Sequence, residues 1–406
     1  MNNARKYVLV IPDGAADEPC ASLGGLTPLA AARLPEMDAV SRGGVLGMSS
    51  NVPERFLPGS DVATLSLFGY DPEVYFTGRA PLEAAAMGIP LGAGDWAVRC
   101  NLTTIADGRM ADFTAGHVTS DEGRVLIEAL AGALRTEGFA IEFHAGVSYR
   151  NIMIVRGGSG ASPFGEDTST TPPHDIPDQL VEGHLPRGRG SEMLRGLMRV
   201  GSELLSAHPI NAARVAAGKR PANAVWLWGQ GSAPRLPKFE DTRGLKGAII
   251  AAVDLVRGVG VLAGWDRIDV AGATGYLDTD YAAKGRAAVA ALDRYDIVCV
   301  HVEAPDEASH EGRADAKVTA LERIDAEIVG PLRRALEARG NARILISPDH
   351  ATLLRTRAHD RAPVPWAMAG AGLEASGLAY DEASARAGGG PILKEGRRLM
   401  DLFLKA

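Results

Sequence analysis

The stretch "DIVCVHVEAPD", residues 296–306, decides how the chain is read. A nearly unbroken run of aliphatic and β-branched residues breaks off abruptly into Glu-Ala-Pro-Asp. Runs of this kind suit strands covered on both faces, as in a parallel sheet, rather than strands with one wet face. The same form recurs in "YVLVIPDG" (7–14) and "ARILISPDH" (342–350), and "AVWLWGQG" (224–231) and "GAIIAAVD" (247–254) also read as strands of this sheet. Helical segments lie between them. "ADAKVTALERIDAEIVGPLRRALEARG" (314–340) has apolar residues at helical spacing and a stop at Gly340, and Pro331 is expected to kink or divide it. The alternation predicts an α/β fold, a mostly parallel sheet flanked by helices.

The middle of the chain reads differently. "WAVRCNLTTI" (96–105) suggests a strand that alternates faces. Residues 119–138 suggest a helix opened by a Thr119/Glu122 capping box and closed by Gly138, and "AIEFHAG" (140–146) and "YRNIMIVRGG" (149–158) suggest two more strands. This predicts a smaller α+β unit inserted at 76–175, leaving 1–75 and 176–406 as a discontinuous core domain. "SGASPFGEDTSTTPPHDIP" (159–177) is the expected exit connection.

Bulk properties narrow the function. The chain has 406 residues, 46% apolar and 23% charged, with a net charge of −7. That is ordinary for a globular protein of two domains. It argues against a nucleic-acid partner but leaves room for a local basic pocket. Cys20, Cys100 and Cys299 give neither a disulfide framework nor a Cys-x-x-Cys knuckle, so a reducing cytoplasm is expected. The apolar run before Pro12 is too short for a signal peptide, and no run of 18 apolar residues predicts a membrane span. Nothing in the sequence sets an oligomeric state.

The chemistry gathers where three strands end, at Asp13, at Asp306 and at Asp349-His350. In open α/β sheets ligands bind outside the carboxyl ends of the strands. Three bare carboxylates there would repel one another, and a cation removes that cost. Histidines complete the set. His310 lies four residues after Asp306, on the same face if a helix starts there; His350 follows Asp349 and His359 lies nine residues further on. Each Asp-His pair alone reads as a turn and a cap. Three strand ends with the same residue types point to a metal such as Mn²⁺, Zn²⁺ or Fe²⁺. Six ligands exceed one four-coordinate site and suit two ions, a clamp used in phosphoryl chemistry. Ser60, in "LPGSDVATLSLFGYDP" (57–72), is not in a G-x-S-x-G elbow, because Val62 stands where the second Gly would be. Alone it reads as a helix N-cap. Beside a divalent ion at a helix N-terminus, its hydroxyl becomes a nucleophile.

Ten motifs spread along the whole chain give a resemblance. They are "PDGAAD", "GSDVATLSLFGYDP", "GRAPLEAAAMGI", "VRCNLTT", "GVSYRNIMIV", "TTPPHDI", "WLWGQG", "GATGYLDTDYAAKG", "VHVEAPDEASHEG" and "SPDHAT". The chain resembles the cofactor-independent phosphoglycerate mutases of archaeal type, in the alkaline phosphatase superfamily. The resemblance implies an alkaline-phosphatase-like core and an isomerase that interconverts 3-phosphoglycerate and 2-phosphoglycerate through a phosphoserine at Ser60, without 2,3-bisphosphoglycerate. It implies one divalent ion held by Asp13, Ser60, Asp349 and His350, and another by Asp306, His310 and His359. Mn²⁺ comes first among Mn²⁺, Mg²⁺, Zn²⁺ and Co²⁺. It implies that His117, Arg79, Arg150 and Lys284 contact a small phosphorylated hydroxy acid, with the inserted unit as a lid against water. Two departures stand out: Leu353 and Leu354 follow "DHAT" in place of a proline, and Arg313 follows "HEG" in place of an acidic residue. Both bear on the loop leading to His359.

Rival readings are another phosphotransferase or phosphohydrolase of the superfamily, such as a homoserine kinase-like enzyme, and a non-catalytic metal-stabilised binding protein. "GVGVLAG" (258–264) has the spacing G-x-G-x-x-x-G, which a helix-end turn explains better than a dinucleotide site, and no P-loop motif is present.

Overall fold

The computed structural model describes residues 5–157, 162–388 and 390–405. Residues 158–161, where the expected exit connection begins, lie outside the described residues. Among the described residues the chain divides into two compact units, Met1–Phe76 with Arg235–Ala406, and Thr77–Pro234.

The first unit is built on an eight-stranded sheet among the described residues. Lys6–Pro12 lies between Ala342–Ile346 and Ile297–Val302 and runs parallel to both. Gly247–Ile250 and then Asp266–Arg267 continue in parallel beyond Ile297–Val302. On the other side come Val364–Gly370, antiparallel, then Val45–Ser49 and Ile392–Leu393. The strands that end in Asp13, Asp306 and Asp349 are therefore neighbours. Val10 is level with both Val300 and Ile346, and the three chains leave the sheet at the same height. Every residue of Ile297–Val302 and Ala342–Ile346 is buried, as near-continuous apolar runs require. Val8, Val10, Val298, Val300, Ile344 and Ile346 share one core with Ile324, Ile328 and Leu332 from the covering helices. Each such side chain contributes about 1.5–3 kcal/mol through burial.

The covering helix runs Ala314–Ile324, passes through a π-helical turn at Asp325–Val329 and continues as Gly330–Arg339. Pro331 divides it as expected: proline has no N–H for the helical ladder, and the wider turn before it makes room for the ring. "GVGVLAG" closes the helix Asp254–Leu262, with Gly264 at φ 80°.

The second unit is a five-stranded antiparallel sheet with helices on it. Trp96–Ala106 is its central strand, paired with Arg150–Arg156 on one side and Ala224–Ser232 on the other. This corrects three expectations. The 96–105 stretch does not alternate between a buried and an exposed face, because Ala97 to Thr104 are all buried. "AVWLWGQG" is not a strand of the parallel sheet. The second border falls at 234 and not at 175, because Leu194, Leu197 and Leu205 of Ser191–Ser206 share a core with Val225, Trp226, Val98 and Leu126. An apolar run of that composition suits either sheet, and only its partners decide.

Candidate metal centre and active site

Asp306 and His310 lie on the helix Ala304–His310, and His310 Nε2 is 3.1 Å from Asp306 Oδ2, so the four-residue spacing does put them together. His359 Nε2 is 3.0 Å from His310 Nε2 and 3.5 Å from Asp306 Oδ1. Next to this group, His350 Nε2 lies 3.5 Å from Asp13 Oδ1, 3.4 Å from Asp349 Oδ2 and 3.2 Å from Ser60 Oγ. Ser60 Oγ is 3.3 Å from Asp13 Oδ2. Six of the sequence-predicted ligands and Ser60 therefore meet at the end of the parallel strands.

Ser60 is not an N-cap. Gly59 occupies the cap, and Ser60 is the first residue of Ser60–Leu67, with its hydroxyl turned to Asp13 and His350. His359 is carried by a hairpin in which Ala351–Leu353 pairs with Ala358–Asp360, and His359 stands opposite Thr352. Leu353 and Leu354, the departure from the family pattern, are buried, and Arg357 closes the turn at φ 55°. Gly14 is required at this edge. Its φ is +61°, and a Cβ there would meet Asp306 Oδ1 at 2.5 Å and Thr352 Oγ1 at 2.6 Å.

The hydrogen-bond network sets the ring tautomers. His310 Nδ1 is 2.9 Å from the Arg357 carbonyl and His359 Nδ1 is 3.2 Å from the Pro58 carbonyl, so both Nδ1 atoms donate. Thr352 Oγ1 donates to Asp306 Oδ1 at 2.5 Å and is left to accept from His350 Nδ1 at 3.2 Å. In all three histidines the Nε2 lone pair points into the cluster, the arrangement of imidazoles that ligate a metal. Asp13 Oδ1 and Asp349 Oδ2 are buried with no hydrogen-bond partner. Convergent lone pairs and orphaned carboxylate oxygens fit divalent cations. Without them a proton is held instead: the Asp306 carboxylate raises His310 to about 9. Burial, then Asp349 and Asp306, push the Asp13 carboxyl well above its usual range. Burial also pushes Asp306 up, yet hydrogen bonds from His310 and His359 hold it well below.

Sequence reasoning missed four residues here. His301 Nε2 is 2.9 Å from Asp13 Oδ2, and where Asp13 is ionised the imidazole donates to it and orients it. Glu303 Oε2 is 3.7 Å from His301 Nε2. Thr352 sets the His350 tautomer. Lys317, fully buried, donates to Asp17 Oδ2 at 2.8 Å and to the Thr352 carbonyl at 2.8 Å, tying the Asp13 loop to the His359 hairpin. His301, Glu303 and Thr352 stand inside the quoted motifs; Lys317 has no signal in the sequence.

The four expected substrate contacts are dispersed. Lys284 is not a solvated helix lysine: it is buried, donates to the His301 carbonyl at 3.3 Å, and burial lowers it to about 8. In the second unit, Arg79 opens the helix Arg79–Ala86, 5.9 Å from the Trp228 ring, and Arg99 lies 4.2 Å from the same ring. Arg99 also pairs with Glu83 at 2.8 Å, and Arg150 lies over Tyr149 at 4.7 Å. His117 is exposed on a turn where Ala115, Gly116 and His117 all have left-handed backbone, φ 52°, 63° and 49°. For Ala115 and His117 this costs about 1–2 kcal/mol each.

Residues 41–211 match the family described as "2,3-bisphosphoglycerate-independent phosphoglycerate mutase". A protein of Geobacter sulfurreducens named "Probable 2,3-bisphosphoglycerate-independent phosphoglycerate mutase" is 49% identical over 405 residues, 98% of this chain and 99% of that one. The 2,3-bisphosphoglycerate-independent phosphoglycerate mutase of Methanothrix thermoacetophila is also 49% identical, over 98% of this chain and 99% of that one. Among solved structures, a protein from Pyrococcus horikoshii superposes with a TM-score of 0.82 at 28% identity, covering 99% of this chain and 97% of that one. With this identity along nearly its whole length, and with a serine among convergent carboxylates and imidazoles, the chain belongs to the 2,3-bisphosphoglycerate-independent phosphoglycerate mutase family.

Proposed function

We infer that the protein is an isomerase that interconverts 3-phosphoglycerate and 2-phosphoglycerate by moving the phosphoryl group through Ser60, without 2,3-bisphosphoglycerate. The observation that carries this reading is the meeting of Ser60 Oγ with Asp13 and His350, beside Asp306, His310 and His359, with all three imidazoles presenting Nε2. Asp13, Ser60, Asp349 and His350 would hold one divalent cation and Asp306, His310 and His359 the other, with Mn²⁺ as first choice. When bound, these cations supply Lewis acidity, lowering the pKa of the hydroxyl and offsetting charge on the phosphoryl oxygens.

The chain's own residues divide the remaining work. Ser60 Oγ gives up its proton and attacks phosphorus, the bond to the glycerate 3-oxygen breaks, and the leaving alkoxide takes up a proton in exchange, leaving a phosphoserine and glycerate. The glycerate 2-hydroxyl then gives up a proton and takes the phosphoryl group back, and the departing Ser60 Oγ takes up a proton, which restores the serine. Because Ser60 opens its helix, the phosphoryl group sits at the positive end of the helix dipole. His301 holds Asp13 through Nε2–H. His117, Arg79, Arg150 and Lys284 complete the reading as phosphate and carboxylate contacts, and water must be kept from the phosphoserine for a mutase rather than a phosphatase outcome. Among the described residues no helix is long and apolar enough to cross a membrane; the cytoplasm is the compartment proposed. The homoserine kinase-like alternative is not favoured, since the relatives carry mutase names.

The test is an assay of pure protein with 3-phosphoglycerate after chelation, with and without added Mn²⁺. The reading expects 2-phosphoglycerate only when Mn²⁺ is returned, and no turnover of homoserine with a phosphate donor. Failure to form 2-phosphoglycerate with Mn²⁺ present would refute it.

A further inference from the structure

The three consecutive left-handed residues at Ala115–His117 need something to hold them, and two groups bond to this turn. The Asp112 carboxylate accepts from the Thr114 backbone N–H at 2.8 Å, the Thr114 hydroxyl at 2.7 Å and the Gly116 N–H at 2.9 Å. The second group is Arg214, from the helix Pro209–Ala216, only 3% exposed. Its Nη2 donates to the carbonyls of Ala115 at 2.7 Å and Gly116 at 3.3 Å. Its Nε donates to the Arg220 carbonyl at 2.9 Å, and its Nη1 meets Glu122 Oε2 at 2.6 Å.

That Glu122 closes the capping box with Thr119, as the third residue of Ser120–Ala133, and the same Oε2 accepts from the Thr119 N–H at 3.0 Å. One guanidinium thus spans the carbonyls just before His117 and the carboxylate that caps the helix just after it. Only a rigid planar fork can do both; a lysine ammonium in that place reaches one or the other. Thr114, Ala115 and Arg214 are buried, Asp112 and Glu122 are half-buried, and His117 is exposed.

We propose that Arg214 is a positioning residue for His117: it locks the strained 115–117 turn to the cap of the following helix, and so fixes where the imidazole is presented to the substrate. The proposal rests on the reading of His117 as a substrate contact. Arg214 itself touches no substrate and acts through the turn.

A kinetic cycle of Arg214→Lys, His117→Gln and the double variant, assayed on the Mn²⁺-loaded enzyme with 3-phosphoglycerate, tests it. Alongside, hydrogen exchange is read at the backbone amides of 114–118. Arg214→Lys is expected to lower kcat by about 10- to 100-fold, the range for a misplaced active-site group. Exchange at 114–118 should speed up more than exchange elsewhere in Thr77–Pro234. In the His117→Gln background the same substitution should change kcat by less than about twofold, since a unit already broken is not broken twice. Equal losses in both backgrounds, or unchanged exchange at 114–118, would overturn the proposal. Wild-type turnover in His117→Gln alone would instead end the substrate-contact reading, while the exchange data still decide whether Arg214 holds the turn. If Arg214→Lys does not fold, Gly116→Ala replaces it. Its Cβ would lie 3.3 Å from Arg214 Nη2 and 3.1 Å from Arg220 Cβ at φ +63°, which disturbs the turn and spares the Glu122 pair. The same non-additivity with His117→Gln is then expected, and additivity contradicts it.

Discussion

At the end of the parallel strands, Asp13 Oδ1 and Asp349 Oδ2 are buried without partners, and three imidazole nitrogens converge beside them. Around the 115–117 turn the charges are already matched. Arg214 has Glu122 and two carbonyls, and Asp112 has three donors. Both regions bury charge, yet one is finished by the chain itself and the other is left short of positive charge. A buried unpaired polar group costs free energy that a paired one does not. On the proposed reading, the difference separates a site that would receive cations from a scaffold that would hold one side chain in place.

Four changes would break or sharpen that contrast. The largest effect is expected at the nucleophile. Ser60→Ala should lower kcat by at least about 10⁴-fold, as removal of a nucleophile does, with the circular-dichroism spectrum and melting temperature unchanged. Retained turnover would remove Ser60 from the chemistry. The second change tests whether pairing, and not location, is what matters. Lys317 and Asp17 form a buried ion pair in the same unit as the Asp13–His350 cluster, with side chains 0% and 1% exposed. Lys317→Met should cost about 3–5 kcal/mol in denaturant unfolding, the range for stranding one member of such a pair. A cost below about 1 kcal/mol would show that matched charges at this edge contribute little.

The third change inverts the sign. Burial and neighbouring carboxylates raise Asp13, so the folded chain binds its proton more tightly than the unfolded chain. Without metal, the contribution of Asp13 to stability should fall as the pH rises above about 4, the unfolded carboxyl value. Asp13→Asn should remove that fall and leave the metal-free protein as stable or more so at pH 7. It should also abolish the gain of about 3–4 kcal/mol that saturating Mn²⁺ gives wild type. A variant that loses stability without metal would contradict the contrast. The smallest effect is a proton. His310, raised to about 9 by Asp306, is charged at pH 7 in the metal-free protein and must give that proton up to a cation. Mn²⁺ affinity should rise about tenfold per pH unit from pH 7 towards 9, with proton release seen by calorimetry in buffers of different ionisation heat. A flat profile would remove His310 from the ligands.

How much of this could be read in the sequence depends on whether the cause was local. The three buried strands, the four-residue spacing of Asp306 and His310 and the Thr119/Glu122 capping box are local patterns, and each appears as read. The pairing of Ala224–Ser232 with Trp96–Ala106 is not local, since its apolar run would serve in either sheet. That is why the border at 175 was displaced to 234. At the site, the ligand types stood at strand ends, where the chain marks them. The groups that aim them did not. Thr352 becomes a tautomer-setting hydroxyl because a hairpin folds it over Asp306, and His359 arrives because Arg357 turns in the left-handed region. Lys284 and Lys317, both buried, look like any helix lysine until the core closes around them.

On the proposed reading, these side chains surround two divalent cations with the Ser60 hydroxyl among the ligands. Anomalous scattering from crystals grown with Mn²⁺ measures this directly. Two peaks per chain are predicted, one in contact with Ser60 Oγ, Asp13, Asp349 and His350, the other with Asp306, His310 and His359. A single peak, or two that both lie out of reach of Ser60 Oγ, would contradict it.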